Sequence, residues 1–243
     1  MVLYKKQIIL FVKSCLYLAI LFTTTIIIHN YNQSENNLFK IEKISIIGNE
    51  YIPNQKIINV IEYNLEESIF DFNVKDAKRN IEKNPFINSV QIHLELPNEL
   101  KIQITERKPI ALIINNNQKQ FIDYENNFLP VDNRSINYFP VPILNIEDIS
   151  INKNQSVSII KYLYKDYNKM YHNISEISES HSTITLTTDT RTKIFVNPKM
   201  VINNLNKLKK FEESIDVIKK INDYRYIDLK FNNQIVVKEK VYS

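Results

Sequence analysis

The chain has 243 residues, of which 44% are apolar and 24% charged, and its formal net charge is +4. This composition supplies the apolar side chains of packed cores, and charges of both signs alternate without a basic block, which excludes a disordered polymer and disfavours nucleic-acid binding. The single glycine, Gly48, excludes phosphate-binding loops, dinucleotide fingerprints and nucleophile elbows, which need at least two glycines each, and the single cysteine, Cys15, excludes an internal disulfide.

The first predicted element is a transmembrane helix over residues 8–29. The apolar run from Ile8 to Ile28 matches the roughly 20 residues that a helix needs to cross the hydrocarbon core. Lys13 interrupts the run, but its ammonium group can snorkel to the lipid headgroups. Because Lys5, Lys6 and Lys13 flank its N-terminal side, the positive-inside rule predicts a cytoplasmic tail (1–7) and an extracytoplasmic bulk after a polar tether (30–38).

Two alternatives to a retained anchor fit the N-terminus less well. A cleaved signal peptide has a shorter apolar core and a small-x-small cleavage site, whereas bulky residues follow this run. A buried core helix of a soluble protein has a polar face, and none appears between Ser14 and Ile28.

Residues 39–108 predict a first folded module that begins with a strand and two helices. The strand shows a phase slip at Glu42 and Lys43, which suggests a bulge, and it ends at Gly48, where a positive φ or a lack of room for Cβ is one reason to find glycine. The first helix has Pro53 in its first turn and a stripe of four apolar residues. The second begins at the N-cap Asn73 and ends before Pro85. The stripe residues are Ile57, Ile58, Ile61 and Leu65.

A hairpin completes the first module. Apolar and polar residues alternate over Val90–Leu96 and again over Leu100–Ile104, which predicts two strands with one buried face. The order β-α-α-β-β predicts a three-stranded sheet whose one face is covered by two helices.

Residues 109–243 predict a second module, a mixed β-sheet with packed helices, so the fold class of the whole chain is α+β. Short strands come first, with a turn at Glu125–Asn127, and a helix over residues 157–171 follows. A strand pair then turns near Thr188–Thr190. Asn197 and Pro198 begin another helix. In the final hairpin, Asn232 and Asn233 form a two-residue loop between Tyr226–Phe231 and Gln234–Val237. The stripe of the later helix is Val201, Leu205, Leu208 and Phe211.

No active site, cofactor site or metal site is predicted. The four histidines share no zinc-ligand spacing, and no local motif supports a hydrolase, although a triad assembled from distant segments stays open. Asp123, beside a turn, and Glu106 with Arg107, at a strand end, are interpreted as turn, surface-pair or domain-junction residues. The histidines are His29, His93, His172 and His181.

The order of elements and several motifs resemble the FtsQ/DivIB family of single-span cell division proteins. "LPNELKIQITERKPIA" is similar to the motif that ends the POTRA domain of that family, and "IDLKF" is similar to the family's late strand, with Lys230 in place of arginine. The resemblance implies a non-enzymatic divisome scaffold in the bacterial inner membrane at the septum. It also implies that the last strands bind an FtsB/FtsL-like coiled-coil complex, and that the POTRA domain contacts further divisome proteins.

The C-terminal strand is the predicted partner site, since an exposed edge strand offers unpaired N–H and C=O groups to an extended segment of a partner. Gly48, Glu106, Arg107 and Pro109 are the predicted POTRA and domain-junction residues. A POTRA-containing periplasmic chaperone or secretion component and a membrane-tethered enzyme are the alternatives. The predicted partner-facing residues are Lys230, Phe231, Asn233, Ile235 and Val237.

Overall fold

A computed structural model describes residues 13–27, 29, 38–61, 68–115, 118–146, 155–180 and 182–241. The chain divides into two compact units, Met1–Glu106 and Arg107–Ser243. Each unit is built around its own β-sheet, of three strands in the first and nine in the second.

The N-terminal helix, α1, covers residues 13–27. In the part of the chain that the structure describes, no helix combines the length and the apolar character that a membrane span requires. The predicted tail (1–7), residues 8–12 and 28 of the predicted span, and residues 30–37 of the predicted tether lie outside the described residues.

The sheet of the first unit has the predicted strands and the order β1-β3-β2. β1 (Lys43–Ile47) runs parallel to β3 (Glu99–Glu106), and β3 pairs antiparallel with β2 (Ile87–Glu95). The N–H groups of Glu42 and Lys43 both donate to the carbonyl oxygen of Asn98, which accounts for the phase slip at these two residues.

Two helices complete the first unit. α2 (Asn54–Ile58) is shorter than predicted within the described residues, and Leu65 lies outside them. α3 (Val74–Glu82) is N-capped by Asn73 as predicted, since the Asn73 side chain accepts a hydrogen bond from the Asp76 N–H at 3.1 Å. The core of this unit takes apolar residues from α2, α3, β2 and β3 and from the segment just before β1, including Ile41, Ile57, Ile81, Val90, Leu100 and Ile102.

The apolar residues of the predicted hairpin are buried along β3, as expected, but they are exposed toward the end of β2. Leu100 and Ile102 are fully buried, whereas Leu94 is 39% exposed and Leu96, after the strand, is 62% exposed. β2 lies at the edge of the sheet, where a neighbouring strand covers only one side of each side chain.

The second unit contains a mixed sheet in the order β12-β11-β10-β9-β8-β7-β4-β5-β6. The strands are β4 (Pro109–Asn115), β5 (Gln118–Asp123), β6 (Phe128–Leu129), β7 (Ile143–Asn145), β8 (Ile174–Ser180), β9 (Thr183–Thr188), β10 (Lys193–Val196), β11 (Tyr224–Asp228) and β12 (Val236–Glu239). The helices are α4 (Asn133–Tyr138), α5 (Gln155–Asp166), α6 (Asn168–Tyr171) and α7 (Val201–Ile215).

One face of this sheet carries the main core. A row of aligned side chains crosses six adjacent strands, and every member is at least 98% buried. α5, α6 and α7 contribute the opposing apolar side chains, with Leu163, Met170, Leu205 and Leu208 fully buried. The row consists of Ile227, Ile194, Leu186, Ile177, Leu144 and Ile113.

Four features of the second unit differ from the sequence-based prediction. The single helix predicted over 157–171 is broken at Tyr167, whose φ of −142° and ψ of 56° are not helical. The helix α4 and the strand β8 were not predicted. The last hairpin does not have a two-residue loop, because residues 229–235 separate β11 from β12.

Candidate partner-binding edge

β12 lies at one end of the nine-stranded sheet. It pairs antiparallel with β11, aligning Val236 with Asp228, Val237 with Ile227 and Lys238 with Tyr226. No other strand among the described residues pairs with the outer side of β12. The structure therefore confirms the predicted edge position of the last strand.

The hydrogen bonds of β11 determine which residues of β12 present their backbone outward. The Leu229 N–H donates to the Phe195 carbonyl oxygen on β10 at 2.9 Å. Because backbone N–H and C=O groups alternate between the two sides of a strand, Ile227 also points to β10, and Tyr226 and Asp228 point to β12. Val236 and Lys238 are aligned with these two residues and face inward, so Val237 directs its N–H and C=O outward.

The five residues predicted to face a partner divide between a loop and the edge strand. Lys230, Phe231 and Asn233 lie in the 229–235 loop and not in a strand, which corrects the predicted hairpin. Phe231 is 47% exposed, and Asn233 is exposed as well. Val237, in β12, is 38% exposed, whereas Ile235 is half-buried and packs against the core.

Lys230 is engaged within its own unit. Its ammonium group lies 3.6 Å from the Asp228 carboxylate and 5.5 Å from the centre of the Phe195 ring. A partner carboxylate at this position would have to share the lysine with Asp228, so Lys230 offers less free positive charge than its sequence position suggested.

Lys207 on α7, which the sequence analysis missed, fixes the loop that precedes β12. Its Nζ donates to the carbonyl oxygen of Phe231 at 2.6 Å and to that of Leu229 at 3.4 Å. The helix thereby fixes the backbone that carries Lys230 and Phe231. A lysine on the polar side of an amphipathic helix gives no sequence signal of such a contact.

Lysine side chains also fix the C-terminal end of β12. Lys219, just after α7, forms an ion pair with Glu239, and this hydrogen bond raises the pKa of Lys219. Lys240 Nζ donates to the carbonyl oxygens of Thr190 and Asn222 at 2.8 Å each. Contacts at both ends therefore keep the edge strand in place while its outer side stays open.

The predicted POTRA residue Gly48 has a steric role. It follows β1 with a φ of +85°, and a Cβ on this backbone would lie 2.1 Å from the Ile104 carbonyl oxygen on β3. Side chains rarely adopt such a φ, and no heavy atom tolerates such a distance. The position therefore requires glycine for both of the reasons that the sequence suggested.

Glu106 and Arg107, adjacent in sequence, each bind within their own unit. The Glu106 carboxylate accepts hydrogen bonds from the N–H groups of Tyr51 and Ile52 at 2.8 Å each. Arg107 Nη1 lies 3.2 Å from Oδ2 of the buried Asp123, which also accepts from the backbone and side chain of Asn127. Pro109 is the buried first residue of β4. These contacts are structural, as the sequence analysis expected of Asp123.

Among the described residues, no group of three or more His, Cys, Asp or Glu side chains is placed to hold a metal ion. His93 lies on an exposed position of β2 and His172 follows α6, whereas His181 lies outside the described residues.

Comparison with known protein families identifies both units. Residues 39–107 match the model of the POTRA domain of the FtsQ type, and residues 108–238 match the model described as FtsQ/DivIB, C-terminal related. The chain belongs to the FtsQ/DivIB family. In this chain the POTRA match precedes the match to the C-terminal model, which agrees with the predicted resemblance.

Relatives in the FtsQ/DivIB family are named as cell division proteins. Cell division protein DivIB of Clostridium botulinum is 33% identical over 123 residues, 51% of this chain and 47% of the relative. DivIB of Staphylococcus aureus is 40% identical over 76 residues, 31% of this chain and 17% of the relative. FtsQ of Rickettsia felis is 33% identical over 87 residues, 36% of this chain and 33% of the relative. The chain thus spans less than half the length of these relatives.

A solved structure of the major extracytoplasmic domain of DivIB from Geobacillus stearothermophilus is also similar. It is 11% identical and the match covers 48% of this chain and 99% of that one, with a TM-score of 0.28. Membership of the family follows from the two family models, which together cover residues 39–238.

Proposed function

We propose that this chain is a non-enzymatic scaffold of the divisome that binds a partner by adding the partner's extended segment to β12. The observation that supports the proposal is the outward backbone of Val237 on an edge strand that is held at both ends. An incoming strand gains main-chain hydrogen bonds there, and the side chains of Val237 and Phe231 supply selectivity.

The family of the chain supports the identity of the partner and the location. We infer that the partner is an FtsB/FtsL-like coiled-coil complex and that the POTRA unit contacts further divisome proteins. In this proposal residues 8–29 anchor the protein in the bacterial inner membrane at the septum, with the N-terminus in the cytoplasm and both units in the periplasm. The scaffold uses no cofactor and no small-molecule substrate.

The substitution Val237→Pro tests strand addition. Proline removes the outward N–H and leaves the inward bonds of Val236 and Lys238 to β11, a position where edge strands tolerate proline. We expect full-length Val237→Pro, solubilised in mild detergent, to lose copurification with an FtsB/FtsL-like complex. Val237→Ala is the matched control, because it shortens the side chain and keeps the N–H group, and we expect it to retain most of the binding.

A second pair of measurements separates lost binding from lost folding. The thermal unfolding of Val237→Pro should stay close to that of the wild type, whereas Lys238→Pro, which removes an inward N–H, should lower the unfolding temperature. The combined change Lys230→Glu with Phe231→Ala should also abolish copurification. Undiminished copurification with a folded Val237→Pro chain would contradict strand addition at β12.

A further inference from the structure

A surface groove in the first unit is independent of the β12 edge. It lies between α2, the C-terminal end of α3 and the start of β2, and its volume is about 570 Å³. Volumes of 300–1,000 Å³ are typical of ligand sites. The groove therefore has room for a few side chains of a bound molecule.

The floor of the groove is aliphatic. Ile52, Ile57, Ile81 and Ile87 line it and are each at most 4% exposed, and Val60, which also lines it, is 40% exposed. Val60 lies just after α2, where no described side chain covers it fully. The floor therefore favours an apolar group on whatever occupies the groove.

The polar side chains along the groove are hydrogen-bond donors. Lys56 and Lys83 line it, and no carboxylate is among its described lining residues. The side-chain oxygen of Asn80 accepts from Lys83 Nζ at 2.8 Å, and that of Asn84 accepts from the Phe86 N–H at 3.0 Å. Both of these bonds use the amide oxygens, so the NH₂ groups of the two asparagines can donate to an occupant of the groove.

The nearest carboxylate along α3 does not neutralise the groove. Glu82 is not among the lining residues, and its Oε1 lies 3.7 Å from Nζ of Lys78. Two lysine ammonium groups and three asparagine amides, those of Asn59, Asn80 and Asn84, thus border an aliphatic floor. An occupant that complements this arrangement is apolar at its centre and rich in acceptors at its ends.

We propose that this groove docks a short acidic segment of a partner protein, in which an apolar side chain enters between Val60 and Ile81 and flanking carboxylates meet Lys56 and Lys83. A peptide fits better than a simple fatty acid, because the amides of Asn80 and Asn84 complement backbone carbonyl groups that recur along an extended chain. This site lies in the first unit, so its partner need not be the one that binds β12.

The proposal is tested by selecting a random dodecapeptide display library on the full-length chain in lipid nanodiscs. We expect the selected peptides to carry Leu, Ile or Phe flanked by Asp or Glu. Fluorescence anisotropy of such a labelled peptide should show about tenfold weaker binding to Lys56→Glu/Lys83→Glu. Lys75→Glu/Lys78→Glu is the matched control, since it reverses two exposed α3 charges outside the groove and should bind as the wild type does.

A second variant and a binding measurement with a fatty acid complete the test. Val60→Asp places a carboxylate at the exposed part of the floor without touching the buried isoleucines, and it should also weaken the peptide about tenfold. Selected peptides without acidic residues, no enriched peptides, or equal binding to the wild type and to all three variants would overturn the proposal. Binding of oleate at this groove without any peptide would assign it to an acyl chain and would likewise overturn it.

Discussion

At the scale of single residues, Gly48 carries the strongest constraint in the first unit. We expect Gly48→Ala to lower the free energy of unfolding by at least about 2 kcal/mol, because the added Cβ meets the Ile104 carbonyl oxygen and the backbone has a positive φ. Urea unfolding of the full-length chain in detergent measures this loss.

Gly48→Asn separates the two causes. Asparagine tolerates a positive φ better than alanine, but it has the same Cβ. We expect it to destabilise the protein about as much as alanine does, because the steric contact of 2.1 Å is unchanged. If asparagine instead restores most of the stability, the backbone conformation alone explains the need for glycine.

The titration of the buried Tyr167 should lower the stability of the protein at alkaline pH. Burial and a hydrogen bond to Glu212 raise its pKa, and burial also raises the pKa of Tyr171, whose hydroxyl donates to the Ile110 carbonyl oxygen at 3.0 Å. A pKa raised in the folded state means that this stabilisation is complete below the unfolded pKa, about 10, and is lost as the pH rises above it. We therefore expect the free energy of unfolding to fall steadily above pH ~10.

Tyr167→Phe tests the origin of this pH dependence. The variant should be less stable at pH 8, because it loses the hydrogen bond to Glu212. Above pH ~10 its free energy of unfolding should fall less steeply than that of the wild type, and the difference between the two slopes should be about 1.4 kcal/mol for each pH unit. Tyr138→Phe, at a tyrosine that is 44% exposed, is the control and should keep the wild-type slope. An unchanged slope in Tyr167→Phe would contradict the assignment.

At the scale of elements, the pair of Arg107 and Asp123 connects the start of the second unit to the turn between β5 and β6. Arg107→Met leaves a carboxylate that is only 2% exposed without its cation, and we expect the second unit to lose about 2–3 kcal/mol of stability. Asp123→Asn combined with Arg107→Met should recover part of this loss in urea unfolding. A loss below about 0.5 kcal/mol would mean that the pair behaves as a surface ion pair.

Elements with strong local signals were predicted correctly. The N-cap at Asn73, the alternation along β3, and the start of the helical segment at Asn197 and Pro198 all agree with the structure. In each case the residues that form the signal also make the bond or the buried contact, so the sequence contains the cause. The same holds for Gly48, the only glycine in the sequence, which occupies a position where a Cβ would clash.

The missed elements depend on contacts between segments that are distant in sequence. β8 contains mostly serine and glutamate, and it forms a strand because Ile174 and Ile177 are buried between β7 and β9. In the loop before β12, Lys207 binds the carbonyl oxygens of Leu229 and Phe231, a contact from a distant helix that the local pattern at Asn232 and Asn233 does not reveal. α4 did have a local signal, since Asp132 and Ser135 form a capping box, but its six residues are too few for periodicity to reveal.

At the scale of the whole molecule, the proposed role predicts a division phenotype. Depletion of the chain should give filamentous cells without septa, because a missing scaffold stops the assembly of later division proteins. Reintroducing the wild type should restore division, whereas Val237→Pro should localise to the membrane and fail to restore it. A metabolic defect with normal division would instead favour the membrane-tethered enzyme. Phase-contrast microscopy with membrane staining measures the outcome.

The order of strands in the second unit has a consequence for how a partner joins it. From β7 to β12 each strand lies beside its predecessor in the chain, so this part of the sheet can form stepwise in chain order. After β12 has paired with β11, the outward N–H and C=O groups of Val237 remain at the edge of the sheet. A further strand would form its hydrogen bonds with these groups. In the proposed strand addition, the segment of the partner would form a tenth strand of this sheet, on the outer side of β12.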